Sequence, residues 1–249
     1  MCVHGLTRNA HDFEHLAQAL AAHCRVVSLD VAGRGGSDRL SHPDDYGYPQ
    51  YLQDAAALLA HLEYEQLTWI GTSMGGLIGM MLSAMPRTPI QRLVLNDIGP
   101  FVPASALERI LTYVGREEPF RDIDEVEGYL RDVHAPFGAL ADTQWRFLAE
   151  HSAVKSEAGY CLHYDPAIAV PLRSQEITDV DLWALWDHIG CPTLVLRGAE
   201  SDILESETAD TMRQRGPRAE LVTFPGIGHA PPLMSSEQIG TVASWMRRA

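Results

Sequence analysis

Short apolar runs alternate with segments of helical period in residues 1–97 and 190–249 of this 249-residue chain. The runs are Cys2–Val3, Arg25–Asp30, Leu67–Ile70, Arg92–Asn96, Thr193–Arg197 and Glu220–Phe224. Between them, Asn9 reads as an N-cap before Phe13, Leu16, Ala17 and Leu20. Leu52, Ala55, Ala56, Leu59 and Leu62 share one helical face. A further helix runs to about Met85 and stops at Pro86. Ser206–Arg215 and a last segment carrying Ile239, Val242, Ala243 and Met246 complete the set. Strands joined by helical crossovers pair in parallel, and their helices cover both faces of the sheet. The expectation is an α/β fold.

Between 98 and 189 the pattern changes. No convincing strand is visible there. Ala104–Val114, Ile123–His134 and Asp142–Ser152 read as amphipathic helices punctuated by prolines. A stretch this long is no plain connection, so 98–189 is expected to be an inserted helical cap on a core of 1–97 and 190–249.

Composition closes off several function classes. With 19 basic and 33 acidic residues the formal charge is -14, which disfavours nucleic acid and anionic membranes as partners. No apolar run approaches the ~18 residues of a membrane span, and no secretory leader is visible. Cys2, Cys24, Cys161 and Cys191 are isolated, with neither metal-ligand nor redox spacing. They read as small buried hydrophobes in a reducing, cytoplasmic setting.

The chemistry concentrates at Gly71-Thr72-Ser73-Met74-Gly75, between a strand-like run and a helix-like one. Such a strand–turn–helix holds its serine in strained backbone and exposes the hydroxyl above the sheet, beside the N–H of Met74. A serine hydroxyl needs a base, an orienting acid and oxyanion donors to act as a nucleophile. In open α/β sheets, ligands bind outside the carboxyl ends of the strands. The polar residues just past predicted strands are His4, Asp30, Ser73, Asp97, Asp202 and His229. His229, after the last strand in Gly228-His229, is the expected base. Asp202, after the run ending at Arg197, is the favoured acid; Asp97 is the alternative. Both give the chain order Ser, Asp, His.

Together, His4-Gly5, the Ser73 turn, Asp202 in a Gly-x-x-Ser-Asp loop and Gly228-His229 resemble the α/β-hydrolases over nearly the whole chain. The resemblance implies a second oxyanion donor at Leu6, partnering Met74, and a structural role for the loop Asp30–Asp38. Relatives carry further strands before the His-Gly pair, so about six strands are expected here, with the N-terminal edge strands missing. A second copy of the chain is expected to cover that edge as a homodimer. The implied activity is hydrolysis of carboxylic esters with short to medium acyl chains, with no metal or organic cofactor. Hydrolysis of a carbon–carbon bond in a vinylogous diketo acid, perhydrolysis and non-catalytic binding are the alternatives. Candidate substrate contacts are Arg8, which could take a carboxylate, His4, and cap aromatics such as Trp145.

Overall fold

The computed structural model describes residues 1–248. Its strands are β1 (Cys2–Val3), β2 (Ser28–Leu29), β3 (Leu67–Thr72), β4 (Ile90–Asn96), β5 (Phe101–Val102), β6 (Ala153–Ser156), β7 (Gly159–Leu162), β8 (Val180–Asp181), β9 (Thr193–Gly198) and β10 (Glu220–Phe224). The helices are α1 (Glu14–Leu20), α2 (Tyr48–Leu62), α3 (Met74–Ser83), α4 (Ala104–Leu111), α5 (Ile123–Val133), α6 (Asp142–Ser152), α7 (Val170–Arg173), α8 (Trp183–Trp186), α9 (Ser206–Met212) and α10 (Ser236–Arg247). Six strands form one sheet in the order β10-β9-β4-β3-β1-β2, every pairing parallel.

The two faces of this sheet follow from the period of two along each strand. Ile70, Val94, Leu194 and Leu196 point to one side and meet Leu16 and Leu20 of α1 and Val242 and Trp245 of α10. Trp69, Leu93, Leu95 and Val195 point to the other and meet Ala55 and Leu59 of α2, Ile78 and Met80 of α3 and Met212 of α9. That second core continues into the insertion through Ile110, Val126, Leu130 and Leu148. The helical spacing of these apolar residues thus closes both faces with one layer each.

Two expectations need correction. The run at Arg25–Asp30 pairs only over Ser28–Leu29, because its single partner, β1, is itself two residues long. The insertion also contains strands. β5 and β8 pair antiparallel at its base, and β6 and β7 form a hairpin. Two-residue strands carry no periodic signal, and β6 is Ala-Val-Lys-Ser with three exposed positions, so neither shows an apolar run. The hairpin strand β7 is followed by His163 and Asp165, which bond the backbone of Gly35 and Gly33 and tie the insertion to the loop after β2. Of the cysteines, only Cys2 is fully buried; Cys24, just past α1, is exposed. Among the described residues no helix is long and apolar enough to cross a membrane.

Candidate active site

Ser73 sits between β3 and α3 with φ 51° and ψ -116°, a region disfavoured for any side chain-bearing residue. The flanking glycines are there for space. A Cβ on Gly71 would lie 2.3 Å from the carbonyl oxygen of Gly75, and one on Gly75 would lie 2.1 Å from that of Val3. Both obstacles are backbone, so neither could yield. The turn is therefore packed against β1, and the Ser73 hydroxyl stands at the carboxyl end of the sheet, as the sequence implied.

His229 Nε2 lies 2.9 Å from Ser73 Oγ, and His229 Nδ1 lies 2.8 Å from Asp97 Oδ2. A carboxylate can only accept, so Nδ1 carries the ring proton and Nε2 is free to take the serine's. Asp97 follows β4 directly, at φ 57°, and is fully buried. It accepts two more hydrogen bonds, from the Gly198 N–H at 2.8 Å and the Ser201 hydroxyl at 2.5 Å. Ser201 Oγ in turn accepts from the N–H groups of Ile203 and Leu204.

Asp202, the favoured acid, is not part of this chain. Its carboxylate is half-exposed and engaged by Arg109, whose NH2 lies 2.9 Å from its Oδ1. The loop after β9 does serve the acid, through the Ser201 hydroxyl and Gly198 N–H. The turn at Ser201 directs the next side chain away from His229 toward the insertion.

Leu6 and Met74 flank the serine, and neither backbone N–H has an acceptor among the described residues. Two unengaged donors beside a nucleophile are what an oxyanion requires. Arg34 holds this arrangement and was not foreseen. It is fully buried. Its Nε donates to the Leu6 carbonyl at 2.9 Å, its NH1 to Ala32 O and Tyr51 Oη, and its NH2 contacts Met74 Sδ at 3.7 Å. The available signal was an arginine inside Gly33-Arg34-Gly35, a loop otherwise built of small residues.

His4 does not reach a ligand. Val31 N–H donates to its Nε2 at 3.0 Å, so Nδ1 carries the proton and bonds Gly5 O at 2.7 Å. Burial holds the ring neutral, with a pKa lowered to about 4. Its work is to join the Gly5–Leu6 loop to the end of β2. Trp145 is also no substrate contact: it is buried within the insertion, stacked on Phe137 and covered by Arg131.

Two clefts meet at Ser73. The larger has a volume of about 510 Å³ and an apolar wall that includes Met74, Leu77, Ile110, Leu172 and Leu182, with Tyr46, Tyr48 and Tyr51 at one side. The smaller, about 60 Å³, is lined by His229 and by Arg8, Asp12, Arg109, Tyr113 and His134. Arg8 is nearly buried and grips Asp12 through Nε and NH2 and Ser152 Oγ through NH1. His134 is stacked on Phe137 at 4.6 Å, and burial pushes its pKa well below the ordinary histidine value, with Arg8, His229 and Arg109 adding to the effect. Among the described residues, one group has side chains close enough to share a metal ion, His11, Glu14 and His151, whose ligand atoms lie within 4.8 Å of one another. These three line neither cleft.

The family model of the alpha/beta hydrolase fold matches residues 1–233. The chain belongs to this family. It is 43% identical over 248 residues to the 3-hydroxybutyrate-oligomer hydrolase of Cupriavidus necator, covering 96% of this chain and 85% of that protein. An alpha/beta hydrolase from Novosphingobium aromaticivorans superimposes with a TM-score of 0.90 at 42% identity, over 100% of this chain and 88% of that one. A Rickettsia typhi protein does so with a TM-score of 0.93 at 36% identity, over 100% and 86%. The alpha/beta hydrolase chain described here is thus a hydrolase by family, with Ser73, His229 and Asp97 brought together at the carboxyl end of the sheet.

Proposed function

We propose that this hydrolase cleaves carboxylic esters through an acyl-enzyme on Ser73, with His229 as base and Asp97 as the acid that orients it. The observation that carries the reading is the unbroken hydrogen-bonded line Ser73–His229–Asp97 beside two unengaged N–H groups. His229 Nε2 takes the Ser73 proton as Oγ attacks the ester carbonyl. The N–H groups of Leu6 and Met74 receive the oxyanion; one such donor is worth roughly 2.7–4 kcal/mol of barrier. The bond between the acyl carbon and the alcohol oxygen then breaks, and the proton held on Nε2 passes to that departing oxygen. Water repeats the sequence on the acyl-serine and frees the acid.

Short ester oligomers of 3-hydroxy acids are the proposed substrates. Likeness to a 3-hydroxybutyrate-oligomer hydrolase supports this, as does an apolar cleft of about 510 Å³, a size suited to a short acyl chain. The test joins a fluorophosphonate probe to a series of 4-nitrophenyl esters. Ser73 is expected to label, short acyl esters to turn over, and Ser73→Ala to lose about 10⁶-fold in kcat. An unlabelled serine, or wild-type rates in Ser73→Ala, would overturn the reading.

A further inference from the structure

The two clefts at Ser73 are not equivalent, and the reaction assigns them. The departing alcohol must lie within reach of His229 Nε2, which protonates it. Leu6 and Ser73 line both clefts, but only the small one is lined by His229; the large one is lined by Met74 and not by the histidine. On the ester-hydrolase reading, the acyl part therefore occupies the apolar cleft and the alcohol the small one.

That small cleft is built for an anion. Arg8 has five N–H donors, and Asp12 and Ser152 take three, leaving two with no acceptor among the described residues. His134, held neutral by burial, makes no side-chain hydrogen bond among the described residues and adds one N–H donor. The charged side chains in the wall, apart from His229, are Arg8, Arg109 and Asp12; Arg109 is paired with Asp202 outside the wall, which leaves the unengaged donors of Arg8 as the cleft's free cationic groups. The cleft adjoins a water-sized void of about 10 Å³, again lined by Arg8 and His134.

We propose that Arg8 and His134 form a subsite for a free carboxylate on the departing alcohol. The substrates are then esters whose alcohol is itself a short hydroxy acid, and the enzyme removes one hydroxy acid at a time from the carboxyl end of an ester chain. A cleft of about 60 Å³ suits the two carbons that separate ester oxygen from carboxylate in a 3-hydroxy acid.

The experiment compares kcat/KM on the linear dimer of 3-hydroxybutyrate with that on its methyl ester, using 4-nitrophenyl butyrate as a carboxylate-free control. Wild type is expected to prefer the free acid by roughly tenfold or more, the range of charge-assisted hydrogen bonds, mostly through KM. Arg8→Gln and, should that variant not fold, His134→Phe are expected to bring the preference toward one. The linear tetramer should release monomer and trimer first. Equal rates on acid and methyl ester, or two dimers from the tetramer, would overturn the subsite while leaving the esterase reading intact if 4-nitrophenyl butyrate is hydrolysed. Failure on all of these esters would overturn both.

Discussion

At the scale of single residues, two buried polar side chains that line neither cleft hold the site. Arg34 fixes the Leu6 carbonyl and leans on Met74, the two residues whose N–H groups face the serine. Arg34→Met is expected to lower kcat by about 10- to 100-fold, a fraction of what losing a whole oxyanion donor costs, with KM little changed; steady-state kinetics on 4-nitrophenyl butyrate check this. His4 acts on the same loop through its neutral ring. Burial, with Arg34 adding, lowers its pKa to about 4, while Asp12 and Asp30 oppose the shift. The unfolded chain takes up this proton near pH 6.5, the folded one only near 4. Stability is therefore full above about pH 6.5 and falls as pH drops through that window, by a few kcal/mol. His134 contributes in the same direction. Melting temperatures between pH 7 and 4 should show this fall, and His4→Gln should flatten part of it. Neither role was legible in the sequence, where His4 read as a substrate contact and Arg34 was one residue of a loop, Asp30–Asp38, expected to be structural. Val31 for His4, and Leu6, Tyr51 and Met74 for Arg34, lie 17 to 40 residues away, and no local pattern reports such partners.

At the scale of elements, the turn from β3 to α3 is the part most open to sequence reading. Its signal is local: glycines at fixed offsets from a serine, an apolar run before and a helix after. The structure supplies the reason in the contacts a Cβ would make at Gly71 and Gly75. Gly75→Ala should cost at least about 3 kcal/mol, because the obstacle is the Val3 backbone. Gly240→Ala, inside α10 where nothing lies within 4 Å, should instead stabilise by about 1 kcal/mol. Thermal or urea denaturation of the two variants separates them. The helices α4, α5 and α6 were legible for the same local reason, while β5 to β8 were not, since short, half-exposed strands owe their pairing to tertiary position.

For the whole molecule, the sheet order decides which residues can meet. β3, β4 and β9 are neighbours, so Ser73, Asp97 and the Gly198–Asp202 loop all emerge at one end of the sheet, and His229 reaches them from beyond β10. Chain order alone could not choose between Asp97 and Asp202, because both follow adjacent strands and both precede the histidine. The choice is made by side-chain direction: Asp97 leaves β4 in a left-handed turn and is buried under His229, whereas Asp202 lies four residues past the end of its strand, facing Arg109. The insertion then lays a polar and an apolar cleft on either side of the serine, which divides a substrate into two unlike parts. The most direct test of this account is kcat on 4-nitrophenyl butyrate for Asp97→Asn beside Asp202→Asn. Replacing the acid should misorient the imidazole and cut kcat by about 10⁴-fold, and Asp202→Asn should stay within about threefold of wild type, as suits a half-exposed ion pair. The reverse pattern, with Asp202→Asn inactive and Asp97→Asn near wild type, would contradict it.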